Sequence, residues 1–193
     1  MKLLFATNNR HKLQEVREIL GQDVELVALR EAGIDTDIPE TQETLEGNAS
    51  QKAWFIYNLT GHDCIADDTG LEIEALDGRP GVYSARYAGD GCTFDDNVQK
   101  VLKEMQGKEN RRARFRCVIS LILRGNEYLF EGVSDGCISD EPAGSGGFGY
   151  DPVFVPEGCA QSFALMPPAQ KNAISHRGRA VEKMKRFLMD KIH

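Results

Sequence analysis

The stretch KLLFATNNRHKLQEVREILGQDVELVAL, residues 2–29, decides the fold class. Its first five residues form a short apolar run that fits a buried strand. From His11 onward the apolar residues recur at helical spacing, at Leu13, Val16, Ile19 and Leu20. Gly21 and Gln22 end this helix, and VELVAL at 24–29 reads as a second strand. A strand, helix and strand in this order predict an α/β sheet.

Further elements follow along the chain. Helical stripes are predicted over residues 44–59, over 93–106 with a capping box from Thr93 and Asp96, and near the C-terminus with Ser175 as the N-cap. The clearest strand is residues 113–123, which turns at Gly125-Asn126 into a partner that runs to about Ser139. These elements complete the prediction of one α/β domain over residues 1–193.

The composition restricts the partners of the chain. It has 193 residues, 41% hydrophobic and 27% charged, with a net charge of -7 and a pI near 5.2. This acidic balance argues against a nucleic-acid polymer or an anionic membrane as partner, but it allows a small phosphorylated ligand. The apolar N-terminal run is too short for a signal peptide, and the five scattered cysteines read as reduced packing residues. We therefore expect a cytoplasmic protein.

The turn at Thr7, Asn8, Asn9, Arg10, His11 and Lys12 is a candidate phosphate site. It joins the first strand to the first helix, where backbone N–H groups and the positive end of the helix dipole point outward. Lys12 adds a cation in the first turn. The alternative is that Thr7 or Asn8 only caps the helix and that Lys12 is solvated.

A second candidate is the pair of carboxylates in IADDTG, residues 65–70. The pattern predicts a strand, a carboxylate turn at Asp67, Asp68, Thr69 and Gly70, and then another strand. Adjacent carboxylates repel each other, so a protein that holds both usually provides a metal cation or lysines. Lys52, on the helix that precedes this strand, could face them. Ordinary hairpin-turn chemistry is the competing interpretation.

The loop GSGGFGYD, residues 144–151, is glycine-rich around two aromatic residues. Such a density of glycine indicates a backbone that approaches something side chains would obstruct, such as a flat ligand. Further on, Lys171, His176 and Arg177 place cations and donors at the start of the last helix, where the dipole is also positive. Alone, each of these features also fits a plain loop or a polar surface.

Five motifs together resemble the inosine triphosphate pyrophosphatase family, also called Ham1-like. They are TNNRHK at 7–12, ADDTG at 66–70, PGVYSARYAG at 80–89, GGFGYDP at 146–152 and SHRG at 175–178. They occur in the order and spacing typical of the family, and the resemblance covers nearly the whole chain. It implies an elongated α/β fold with a long central mixed β-sheet, two lobes flanking a substrate cleft, and a homodimer.

The resemblance also implies a function. Family members hydrolyse non-standard purine nucleoside triphosphates, dITP, ITP and XTP, to the monophosphate and pyrophosphate with Mg²⁺, which cleanses the nucleotide pool. Carried over by position, Asp68 would be the catalytic proton acceptor and Glu40 and Asp68 the metal ligands, with Asp67 in support. The substrate-binding residues would be 7–12, Lys52, Thr69, Phe148, Gly149, Tyr150, Asp151, Lys171, His176 and Arg177. Thr69 stands where the family usually has serine, and its hydroxyl keeps the same hydrogen-bonding capacity.

The physical requirements of this reaction agree with those residues. Cleavage between the α- and β-phosphates needs cations, a metal ion and one carboxylate base. Donors at the His176-Arg177 helix start would meet the 6-keto oxygen of hypoxanthine or xanthine, whereas adenine presents an amino group there. Two other interpretations stay open from the sequence: a non-catalytic nucleotide sensor on the same scaffold, and a single-stranded nucleic-acid binder, which the net charge disfavours.

Overall fold

A computed structural model describes residues 1–192. The strands are β1 (Lys2–Phe5), β2 (Glu25–Ala28), β3 (Cys64–Ile73), β4 (Pro80–Gly81), β5 (Arg112–Leu123), β6 (Asn126–Ile138) and β7 (Phe154–Pro156). The helices are α1 (Arg10–Leu20), α2 (Leu45–Thr60), α3 (Phe94–Glu104), α4 (Pro168–Ile174) and α5 (His176–Ile192). None of these helices is both long and apolar enough to cross a lipid bilayer, within the residues described.

The strands form a mixed sheet in the order β2-β1-β3-β5-β6-β7, and β4 pairs with β3. β1 runs parallel to β2, with Leu3 opposite Leu26, and parallel to β3, with Phe5 opposite Ile65. β4 and β7 pair antiparallel with β3 and β6. The predicted α/β class with a mixed sheet is confirmed.

The chain divides into two compact units. The first comprises Met1–Asp68, Cys117–Gly132 and the chain from His176 onward, and the second comprises Thr69–Arg116 and Val133–Ser175. β3, β5 and β6 each begin in one unit and end in the other.

In the first unit, apolar side chains project from both faces of the sheet. Leu3 and Phe5 belong to a buried cluster that includes Val16 of α1 and Met184 of α5. Leu4, the residue between them, packs in a separate cluster with Ala53 and Ile56 of α2. Burial on both faces explains why β1 is continuously apolar instead of alternating.

The second unit has its own core, built around three aromatic rings. Phe154 of β7 lies 4.6 Å from the ring of Phe115 on β5 and 5.2 Å from that of Phe163, measured between centroids. Val101 of α3 and Leu71 of β3 complete this cluster and are fully buried. Each unit therefore has a packed core of its own.

The β-α-β unit, the capping box of α3 and the long hairpin match the sequence predictions. The hairpin turn lies one residue earlier than expected, at Arg124-Gly125, and both residues have positive φ. A two-residue turn with positive φ at both positions matches the twist of the flanking strands. The side chain of Asp63 accepts the Arg124 N–H at 2.7 Å and fixes this turn.

The prediction of a turn at Asp67, Asp68, Thr69 and Gly70 is wrong. These residues lie inside one continuous strand, β3, and both carboxylates are buried. Cations from distant parts of the chain, described below, neutralise the carboxylates, so no exposed turn is needed to keep them in water.

Candidate active site

Residues 7–12, which join β1 to α1, are organised by Asn9. Its side-chain oxygen accepts the N–H groups of His11 at 3.0 Å and of Lys12 at 3.2 Å, and Thr7 Oγ1 accepts the N–H of Asn9 at 3.1 Å. Asn9 is thus the N-cap, a role that the sequence suggested for Thr7 or Asn8. The cap fixes the path of the loop, and Asn8, Arg10 and His11 remain exposed.

Asp67 is a fully buried carboxylate held by two cations. Its Oδ1 accepts from Lys12 Nζ at 3.0 Å, and its Oδ2 accepts from the Nε and Nη2 atoms of Arg177, each at 3.2 Å. Asp67 is 1% exposed and Arg177 2%. The carboxylate therefore connects the start of α1, the middle of β3 and the start of α5.

The charge of Asp67 follows from these contacts. Burial alone would raise the pKa of the Asp67 carboxyl, but the positive charges of Lys12 and Arg177 outweigh burial and hold that pKa well below its usual range. Arg177 is affected in turn, since Asp67 and Glu15 raise the pKa of its guanidinium despite burial. Both groups are charged at neutral pH.

Asp68 has a different environment from its neighbour. Lys52 of α2, which is 4% exposed, bonds to Glu40 and lies 3.6 Å from Asp68 Oδ1. The other oxygen, Asp68 Oδ2, is buried and has no hydrogen-bond partner among residues 1–192. Burying a carboxylate oxygen without a partner is costly, so a protein that keeps one usually uses it.

Burial also sets the protonation of this group. It raises the pKa of the Asp68 carboxyl, and the charges of Lys52 and Lys12 oppose this shift only in part. For Lys52, burial would lower the pKa of the ammonium, but Asp68 and Glu40 raise it above its ordinary value. Lys52 therefore stays charged beside a carboxylate that takes up a proton more readily than an ordinary Asp.

Glu40 and Asp68 are suited to bind a magnesium ion whose other ligands are not protein side chains. Among residues 1–192 no group of three or more His, Cys, Asp or Glu side chains is placed to hold a metal by itself. Mg²⁺ is usually bound by one or two carboxylates together with waters and substrate phosphates. The shared contact with Lys52 brings the Glu40 carboxylate near that of Asp68, and each carboxylate supplies a hard oxygen ligand.

The second unit contains a separate polar cluster around Asp151. The Oδ2 atom of Asp151 accepts from Lys171 Nζ at 2.6 Å and from the backbone N–H of Phe148 at 3.0 Å. The same ammonium lies 5.2 Å from the centroid of the Phe148 ring. Asp151 and Lys171 are buried, so this ion pair fixes both the lysine and the aromatic ring.

The glycine-rich loop is shaped by Asp151 as well. A Cβ atom on Gly147 would lie 2.0 Å from Asp151 Oδ2, and Gly147 has a φ of +67°. Gly147 therefore allows the backbone of the loop to approach the carboxylate of Asp151, which is a group of the protein itself and not of a ligand. Tyr150 of the same loop is 4% exposed, and its hydroxyl donates to the carbonyl oxygen of Ser84 at 2.6 Å.

The structure thus groups the predicted residues into two sets. The first unit holds residues 7–12, Glu40, Lys52, Asp67, Asp68, His176 and Arg177. The second unit holds Thr69, Phe148, Gly149, Tyr150, Asp151 and Lys171. In the first set, contacts join Lys12, Asp67 and Arg177, and Lys52 joins Glu40 and Asp68. In the second set, Asp151 contacts Phe148 and Lys171.

Two residues of these clusters were missed in the sequence. Glu15 bonds to Arg177, and Phe94, which is 46% exposed, lies with its ring 5.9 Å from that of Phe148. Glu15 sits in an ordinary polar position of a surface helix, so it carries no local signal. Phe94 is an apolar residue at the first position of α3, and its exposure is visible only in three dimensions.

The chain belongs to the Ham1 family, whose sequence profile matches residues 3–187. The resemblance inferred from the five motifs is confirmed. Two solved structures have the same fold: a HAM1 protein from Coxiella burnetii (TM-score 0.90, 38% identity, 98% of this chain and 99% of that chain) and the Staphylococcus aureus Ham1 protein (TM-score 0.89, 36% identity, 99% and 100%).

Relatives with an assigned activity are closer still in sequence. A protein of Porphyromonas gingivalis named dITP/XTP pyrophosphatase is 54% identical over 189 residues, which cover 97% of each chain. A protein of the same name from Flavobacterium johnsoniae is 47% identical over 184 residues, covering 95% of this chain and 96% of the relative.

Replacement of Asp67 tests the buried ion pairs. Asp67→Asn keeps the shape of the side chain but leaves Lys12 and Arg177 without their common counter-charge. We expect a loss of about 3–5 kcal/mol in the free energy of unfolding, measured by urea denaturation. The control is Glu182→Gln, which removes an exposed pair with Arg186 and should change stability by less than about 0.5 kcal/mol. An equally small effect of Asp67→Asn would contradict the assignment.

Proposed function

We propose that the chain hydrolyses the purine nucleoside triphosphates dITP, ITP and XTP to the nucleoside monophosphate and pyrophosphate. The observation that carries the proposal is Asp68, a buried carboxylate beside Lys52 and Glu40 with one oxygen that has no partner in the described chain. The proteins named dITP/XTP pyrophosphatase that are 47% and 54% identical to this chain support dITP and XTP as substrates.

The phosphates are assigned to the first unit. Residues 7–12 offer a capped helix start with exposed polar side chains, and Lys12 and Lys52 supply positive charge. A triphosphate brings several negative charges, so these cations offset the repulsion that it would meet from Glu40, Asp67 and Asp68.

Glu40 and Asp68 would hold Mg²⁺. When bound, the ion supplies neutralisation of the phosphate charge and polarisation of the phosphoryl oxygens. Lys52 remains beside both carboxylates as a further positive charge.

Asp68 acts as the general base. Its Oδ2 accepts a proton from a water molecule while the water oxygen bonds to the α-phosphorus, and the bond from that phosphorus to the oxygen bridging to the β-phosphate breaks. The electron pair of that bond leaves with pyrophosphate.

The nucleoside is assigned to the remaining predicted residues: Thr69, Phe148, Gly149, Tyr150, Asp151, Lys171, His176 and Arg177. Phe148 offers an aromatic surface for the purine, and Asp151 and Lys171 fix that ring. Donors at the start of α5 would pair with the 6-keto oxygen of hypoxanthine or xanthine. The amino group of adenine would leave a donor facing a donor, which disfavours binding.

The cellular setting is part of the same proposal. Removal of dITP, ITP and XTP would cleanse the nucleotide pool. The protein would act in the cytoplasm and as a homodimer. The free state of the five cysteines, Cys64, Cys92, Cys117, Cys137 and Cys159, fits a reducing compartment.

A substrate panel tests the specificity. Pyrophosphate release from dITP, XTP, dATP and dGTP is measured with Mg²⁺ and again after chelation of the metal. We expect dITP and XTP to exceed dATP in kcat/KM by on the order of 10²–10⁴-fold, because the donor at the 6-position is left unpaired by adenine. Chelation should abolish turnover. Equal turnover of all four nucleotides would refute the specificity.

Replacement of the base tests the mechanism. Asp68→Asn should lower kcat for dITP by about 10²–10⁴-fold, because an amide cannot accept the proton of the water. The matched control is Asp77→Asn, an exposed residue in a left-handed conformation that Asn also adopts readily, and it should retain full activity. Near-wild-type turnover by Asp68→Asn would remove Asp68 from this role. Tight binding of ITP without turnover by the wild type would instead establish a nucleotide sensor.

A further inference from the structure

Arg177 is a buried cation in an unfavourable place. Its side chain is 2% exposed, and it is the second residue of α5. The start of a helix carries partial positive charge, so the dipole of α5 destabilises this guanidinium. Loss of hydration adds a second cost. The position is stable only because carboxylates surround the group.

Two carboxylates bind the guanidinium. Its Nε and Nη2 atoms bond to Asp67 Oδ2, each at 3.2 Å, and its Nη1 atom bonds to Glu15 Oε2. All three nitrogens therefore contact acidic side chains of the protein. The Glu15 side chain is itself only 13% exposed, which strengthens the interaction relative to a surface pair.

Glu15 and Lys12 both belong to α1. They lie three residues apart on α1, a spacing that places two side chains on neighbouring positions of the same helix face. Lys12 bonds to the second oxygen of Asp67. Two positive and two negative groups thus alternate from α1 to β3 to α5 and back to α1, and their formal charges cancel.

Loss of the Glu15 charge would remove one of the two carboxylates that hold Arg177. The buried guanidinium would then depend on Asp67 alone, which it shares with Lys12. The side chain of Asp67 is the contact that fixes this part of β3, and Asp68 is the next residue. A shift of Arg177 would therefore displace Asp67, and with it the neighbouring residue Asp68.

We propose that Glu15 is a positioning residue, which holds Arg177 against Asp67 and so fixes the orientation of Asp68. The proposal rests on the proposed function, which makes Asp68 the general base.

The first experiment measures kcat, KM and base preference of Glu15→Gln, a change that removes the charge and keeps the shape. We expect kcat for dITP to fall by about 10- to 100-fold, since small displacements of reacting groups have effects of this size. KM should stay within about 2-fold, and the dITP-to-dATP ratio of kcat/KM should not change. Glu18→Gln, an exposed residue of the same helix, is the control and should match the wild type.

The route through Arg177 is tested by a double variant. If Glu15 acts through Arg177, then Glu15→Gln combined with Arg177→Lys should have the kcat of Arg177→Lys alone. Additive losses would overturn this route. A changed dITP-to-dATP ratio with unchanged kcat would also overturn the proposal, because Glu15 would then act on selection of the base and not on Asp68.

Hydrogen exchange gives a readout that does not depend on activity. In Glu15→Gln the amides of residues 64–69 should exchange faster than in the wild type, while those of β7 should not change, which also shows that the variant is folded. Unaltered exchange over residues 64–69 would overturn the proposal. Absence of dITP turnover by the wild type would refute the proposed function instead, and the exchange result would still decide the role of Glu15.

Discussion

The site depends on one constraint, a carboxylate that is fully buried at Asp67. An isolated ionised carboxylate cannot be buried at acceptable cost, so the fold must bring it cations. It brings Lys12 from the start of α1 and Arg177 from the start of α5, 55 and 110 residues away in the chain. The positions of both helix starts are thereby tied to the middle of β3.

The second unit uses the same physical device on a smaller scale. Asp151 is buried, and Lys171 and a backbone N–H of the glycine-rich loop satisfy it. In both units, a buried carboxylate orders a loop that carries candidate ligand contacts, and a lysine beside it supplies positive charge. Side chains that are fixed before the ligand arrives lose less conformational entropy on binding. Asp67 and Asp151 thus order the loops around them, and Asp68 is the carboxylate with an oxygen that has no hydrogen-bond partner within residues 1–192.

Local patterns predicted the fold well and the polar network poorly. The apolar run at 2–6, the helical spacing after His11 and the alternation near 113–123 are set by nearest neighbours, so β1, α1 and β5 could be predicted. The pair Asp67-Asp68 looked like a turn because its compensating cations lie far away in sequence. Asn9 could not be separated from Thr7 and Asn8 as the cap, since all three residue types accept N–H bonds. Glu15 was missed because its partner is on another helix.

The most direct test is a crystal structure with Mg²⁺ and a dITP analogue that has a methylene group between the α- and β-phosphorus atoms. The expected result has the phosphates against residues 7–12 and the metal bound by Glu40 and Asp68. Asp67 should keep its ion pair with Arg177, because its role is to fix the strand. A structure in which Asp67 turns to the metal, or in which the triphosphate binds away from residues 7–12, would contradict the account.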